Sequence, residues 1–385
     1  MRRGWVRALA GAALLLLLAG AVRHLYPPLR HPVDALLLAQ AFLAGEEKSW
    51  LARRTSSPGR REEIADGAPL DLHLPGGSDA PRGCILLAHG MTDAGRRDPR
   101  LLAFARILAR LGFAVAAPEL PGMRRFRPDE EDVARLASSF AWLDGRRAPA
   151  SPRCGLMGFS FSAGPVLLAA AKPEVRERVG YAAAVGAYFG LRGVLRHLTT
   201  GGGGGAPAFP GGPPVRAGKW LFLRYNAGLL GLEGYEAEVE AIVRLKLADE
   251  GSDISALVSR LPARAGPVLA LMENRDPARF DGLFRAQPPE LLRRVEAWSL
   301  KGAAGRGRFP LFLLHGRGDP FIPPSESLRL AEEARRVPGR RVRLLILYSL
   351  GHVDPARAGF SLAVLMEGAR LLGFLSEVMS AMEGG

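Results

Sequence analysis

Cysteine, lysine and long apolar runs are scarce in this chain, and each scarcity narrows what it can be. Only two cysteines, Cys84 and Cys154, occur in 385 residues, too few for a disulfide-stapled scaffold or a zinc finger. Both fall in apolar, strand-like stretches. Two buried thiols acting as small hydrophobes are the expectation, and a bond between neighbouring strands is the alternative. Lysine supplies five of the 52 basic residues, so arginines scattered along the chain carry most of the formal charge of +14. No zinc-finger spacing, basic helix with heptads or aromatic RNA-binding motif accompanies them, and no nucleic-acid partner is expected. Nor is there a metal-ligand cluster or nucleotide loop, so no cofactor is expected.

A single long uncharged apolar run exists, Ala8 to Val22. Arg2, Arg3 and Arg7 precede it, and Arg23, Tyr26 and Pro27-Pro28 follow. As a helix it would be about 22 Å long at ~1.5 Å per residue, or about 28 Å counted from Gly4 with Arg7 snorkelling, against ~30 Å of hydrocarbon. We expect residues 1–30 to anchor the protein to a membrane. Ala19-Gly20-Ala21 offers the small-x-small pattern of a cleavable signal as the alternative, with a secreted or periplasmic product.

The rest reads as α/β. Residues 31–59 hold an apolar helical patch, Val33 to Leu43, and a polar connection, and are expected to link anchor and core. From residue 60 a hairpin through Asp66-Gly67 leads into short apolar strands alternating with helices, a pattern that implies a doubly wound, mostly parallel sheet. Between the strand near Tyr181 and the one near Phe309 lie glycine runs (Gly201 to Gly205, Gly211-Gly212) and several helical patterns. The expected division is a core over 60–190, a helical cap over 191–307 and the rest of the core over 308–385.

The organising stretch is R-C-G-L-M-G-F-S-F-S-A-G-P-V-L-L-A-A-A-K, Arg153 to Lys172. An apolar strand ending at Phe159 meets a helix starting near Ala163, with Ser160 at the switch. A sharp turn there exposes the hydroxyl and aims helix N–H groups at a developing oxyanion. Such a turn demands small neighbours two before and two after, and Gly158 and Ser162 supply them. A rival frame centres on Ser162, but the strand's end and Gly158 favour Ser160.

The pattern G-x-S-x-small resembles the nucleophile elbow of the α/β-hydrolase superfamily, with Ser162 in place of the usual second glycine. The resemblance extends to His89-Gly90 after one strand, Asp319 in G-R-G-D-P after another and His352 in the loop after the last. It implies a catalytic triad of Ser160, Asp319 and His352, with the backbone N–H groups of Met91 and Phe161 as the oxyanion hole. Asp354 is the runner-up acid; His89 and His315 look positional. A serine nucleophile implies cleavage of an ester or related acyl bond through an acyl-enzyme. The apolar cap and the N-terminal segment suggest a hydrophobic, small-molecule acyl substrate. Thioester cleavage, acyl transfer or peptidase action on the same triad, or a membrane-tethered binding protein that has lost catalysis, are the alternatives.

Overall fold

The computed structural model describes residues 29–77, 80–201, 217–348 and 362–385. The N-terminal apolar run, the glycine-rich stretch after Gly201 and the loop holding His352 and Asp354 lie outside the described residues. Among the described residues no helix is long and apolar enough to cross a membrane.

The described residues include eight strands that form one sheet in the order β1-β2-β4-β3-β5-β6-β7-β8. They are Gly59–Ala65, Ala68–Leu74, Cys84–Ala88, Ala114–Pro118, Gly155–Phe159, Tyr181–Val185, Leu311–Gly316 and Val342–Leu347. β2 runs antiparallel to both its neighbours, β1 and β4, and every other pair is parallel. Helices of eight residues or more are numbered here in chain order. Those against the sheet are α1 (Arg30–Ala44), α2 (Pro99–Arg110), α3 (Glu130–Asp144) and α4 (Ala163–Ala170). The helices α5 to α9 lie between β6 and β7: Leu191–Thr200, Ala217–Asn226, Glu236–Ala248, Ala265–Glu273 and Pro289–Ala297. Two more, α10 (Pro324–Arg335) and α11 (Leu362–Met382), complete the core.

The sheet is sandwiched because its inner strands are apolar on both faces. Along β3, Leu86 and Ala88 face a core built with Phe140 of α3, Val166 of α4 and Leu330 of α10. Ile85 and Leu87 face the other side, where Leu37 and Leu38 of α1, Leu108 of α2 and Phe374 of α11 pack. The helices between β6 and β7 bury a third apolar cluster of their own, centred on Trp220, Ile242, Val268 and Phe280. The chain leaves the sheet at Phe189-Gly190 and comes back at Leu300, whose N–H donates to the Phe189 carbonyl (2.8 Å). Glu326 of α10, 1% exposed, clamps the same point by accepting from the N–H groups of Phe189 (3.0 Å) and Gly190 (2.8 Å).

One expectation is extended and one is corrected. The helical patch expected at Val33 to Leu43 is α1, and it does more than link. α1 packs into the core, held by an ion pair between the buried Asp34 and the half-buried Arg82 (2.7 Å) and by Glu46, which sits against Arg110 and Arg106 just after the helix. The cysteines are not thiols: Cys84 and Cys154 form a disulfide, with Cα atoms 4.6 Å apart. Parallel pairing of β3 with β5 sets Ile85 opposite Gly155, which brings the residues before them side by side.

Candidate active site

β5 ends at Phe159, a single 3₁₀ turn spans Ser160–Ser162, and α4 begins at Ala163. Ser160 has φ of 55°, a left-handed conformation that a residue with a Cβ adopts at a cost of roughly 1–2 kcal/mol. The strain is local to the place where a hydroxyl is pushed out of the sheet's C-terminal edge. Gly158 is obligatory: a Cβ there would lie 2.8 Å from the Ala163 Cα and 2.8 Å from the Ser162 carbonyl oxygen. Ser162 is fully buried, and its hydroxyl is spent on the turn, accepting from the Phe159 N–H (2.9 Å) and donating to the Phe159 carbonyl (2.8 Å). It also lies 3.4 Å from the Ala88 carbonyl at the end of β3. Serine in place of glycine thus serves as an internal brace. The rival nucleophile frame has its hydroxyl facing the backbone, whereas Ser160 lines a cavity.

His89 is buried at the end of β3. Its Nε2 accepts from the Leu120 N–H (3.1 Å), so the proton sits on Nδ1, which donates to the Gly90 carbonyl (2.8 Å). Burial lowers its pKa and keeps the ring neutral enough to play both roles. The Gly90 carbonyl belongs to the same peptide unit as the Met91 N–H and points opposite to it. His89 therefore fixes the plane of the amide that sequence reasoning assigned to the oxyanion hole. Gly90, Met91, Ser160 and Phe161 all line one cavity.

Asp319 is 3% exposed in the loop after β7. Its Oδ1 accepts from the N–H groups of Phe321 (2.8 Å) and Ile322 (2.9 Å), and its Oδ2 lies 3.5 Å from Nε2 of His315. His315 is committed to structure, with Nε2 donating to the Ile322 carbonyl (2.8 Å) and Nδ1 2.6 Å from the Ser327 hydroxyl. His197 of α5, in the inserted region, also neighbours this loop; burial pushes its pKa down, with the Asp319 charge opposing. No sequence signal marked His197, which sits in the last turn of its helix beside a glycine run.

The cavity has a volume of about 710 Å³ and runs from the elbow between the sheet and the inserted helices, within the ~300–1,000 Å³ of small-molecule sites. Its wall is mostly apolar, with Leu195 and Leu198 of α5, Phe222 of α6 and Trp298 on the cap side. The Phe126 and Tyr225 rings stack 4.0 Å apart, joining the core loop before α3 to α6. The third side was not anticipated: Ala41 and Phe42 of α1 and Phe104 of α2 complete the wall. In the sequence, Val33 to Leu43 shows as a helical patch between anchor and core, with nothing local to place it against the cavity.

A mostly parallel sheet in this strand order, with one antiparallel strand near its edge and a strained serine on the turn after β5, is the α/β-hydrolase fold. No protein-family model matches the chain. A relative in Mycobacterium tuberculosis, provisionally named a phosphoribosyl transferase, is 35% identical over 130 residues, 31% of this chain and 29% of the relative. The chain thus matches less than a third of that protein's length. Among solved structures the chain is similar to an acylaminoacyl peptidase of Pyrococcus horikoshii (11% identity, 86% of this chain and 42% of the other, TM-score 0.46). It is also similar to Est1E of Butyrivibrio proteoclasticus (13%, 84% and 98%, 0.43) and to a puromycin-hydrolyzing peptidase of M. tuberculosis (16%, 83% and 39%, 0.44).

Proposed function

We propose that the chain is a serine hydrolase that cleaves an ester or related acyl bond of a hydrophobic substrate through an acyl-enzyme intermediate. The observation that carries this is Ser160, held at φ of 55° on the elbow and opening onto a largely apolar cavity of about 710 Å³. Ser160 attacks the carbonyl carbon while His352 takes its proton. Asp319, whose Oδ1 accepts from two backbone amides, orients that imidazole. The Met91 and Phe161 N–H groups receive the oxyanion, an interaction whose loss typically costs about 3–4 kcal/mol of transition-state stabilisation. His352 then protonates the leaving group, and water resolves the acyl-enzyme by the reverse sequence. The apolar wall favours an acyl chain over a charged group, because a charge left in it would lose its hydration without a partner.

Labelling with a fluorophosphonate tests this. The folded protein is expected to react, Ser160→Ala to lose the label and Ser162→Ala to keep it. Folded protein that never labels, or labelling that survives Ser160→Ala, refutes the assignment. A series of esters graded by acyl length then measures how much of the cavity the substrate fills.

A further inference from the structure

We propose that the outer face of α1 docks on the surface of a lipid bilayer and that the cavity draws its substrate, an acyl compound dissolved in that bilayer, past the end of this helix. The substrate half of this rests on the serine-hydrolase reading; the docking half stands without it. Leu29, Leu36 and Leu43 are 45%, 39% and 71% exposed. Their seven-residue spacing keeps them on one side of the helix over about 21 Å. Phe42 beside them is 43% exposed. The stripe is not a frayed end, because the opposite face is locked into the core by Leu37, Leu38 and Ala41 and by the ion pair of the buried Asp34 with Arg82.

Two further observations say what covers it. The uncharged apolar run of residues 8–22 ends only seven residues before Leu29. At ~3.5 Å per residue that connection reaches at most about 25 Å. A bilayer holding that run therefore has the start of α1 within reach of its surface, and the arginines flanking the run favour an anionic one. At its other end α1 becomes the cavity wall through Ala41, Phe42 and Leu43. From there the rings of Phe42, Phe104 and Phe159 step inward edge to face, at 6.4 Å and 5.5 Å, to the residue before Ser160. Exposed apolar stripe and apolar route to the nucleophile are continuous.

The test uses the full chain. With Cys84 and Cys154 bonded, Leu36→Cys offers a single thiol for an environment-sensitive nitrobenzoxadiazole label. Leu328→Cys on α10, 50% exposed beyond the other face of the sheet, is the control. On adding vesicles of phosphatidylcholine and phosphatidylglycerol, the label at 36 is expected to shift to the blue and be quenched by doxyl lipids, while that at 328 stays aqueous. A protein that floats with the vesicles while its label at 36 remains in water overturns the proposal, as does a protein that binds no vesicles. A blue shift that grows with protein concentration without lipid assigns the face to a second copy and overturns it too. For the substrate, Leu29→Ser with Leu36→Ser is expected to slow hydrolysis of a long-chain ester dispersed in vesicles by about tenfold and a soluble short ester by less than about twofold. Equal losses on both overturn delivery from the bilayer. If the wild type hydrolyses neither ester, the enzymatic reading fails, and the fluorescence still decides the docking.

Discussion

Replacing Ser160 by glycine should leave the protein more stable than replacing it by alanine, while either change destroys the activity we assign to it. The left-handed backbone at Ser160 costs roughly 1–2 kcal/mol for any residue with a Cβ. Alanine keeps that cost and glycine removes it. Glycine adds its own penalty, about 0.4–1 kcal/mol, because the unfolded chain gains freedom. The net expectation is that Ser160→Gly exceeds Ser160→Ala by about 0.5–1 kcal/mol. Both variants lack the hydroxyl, so their difference reports backbone alone. The glycine penalty is measured separately with Ala94→Gly, an exposed site with φ of −71° and ψ of −18° that any residue adopts. Urea unfolding followed by tryptophan fluorescence supplies the numbers. Subtracting the Ala94→Gly change should return a strain of about 1–2 kcal/mol; a corrected value below about 0.5 kcal/mol would mean that the elbow stores none.

Three further outcomes are expected. Ser162→Ala should lower stability by about 1–3 kcal/mol, because the Phe159 N–H loses its buried acceptor; an unchanged urea midpoint refutes the brace. Reducing the Cys84–Cys154 bond, which closes a separation of 70 residues, should cost about 4 kcal/mol, read as a drop in melting temperature with dithiothreitol that is absent in Cys84→Ala with Cys154→Ala. Asp132 should give a pH signature. Burial, with the Asp129 charge adding, raises its pKa from 3.8 to about 6. The folded state therefore holds the proton more tightly, and the stabilisation is complete below about 3.8 and lost as pH rises through about 6. Relative to Asp132→Asn, the wild type should lose stability between pH 4.5 and 7.5, and a constant difference would exclude the shift.

The central strands were legible because they are apolar on both faces and bounded by turn residues, which is why β3, β5 and the elbow fall where the pattern set them. Asp319 was legible as a residue just after a strand, and its two amide contacts are those of a residue that opens a turn. What hid the packing of α1 is distance along the chain: the partners of Asp34 and of Glu46 just after the helix, Arg82 and Arg110, are 48 and 64 residues away, and no local periodicity encodes them. The disulfide was obscured for the same reason, since strand adjacency rather than spacing brings the sulfurs together.

The clamp at the base of the insertion has a consequence for how this protein could diversify. Outgoing and returning chain meet at Phe189 and Leu300, and Glu326 holds the junction from below. A module whose two ends already touch can be exchanged without tearing the sheet. The described residues of 191–299 carry an apolar cluster of their own, and Val194, Leu198 and Trp298 among them join the core against the sheet, so a replacement would have to keep those contacts. Grafting a different helical set between Gly190 and Leu300 would rebuild one wall of the cavity and leave the elbow, the His89 brace and the Asp319 turn in place, making substrate choice separable from chemistry.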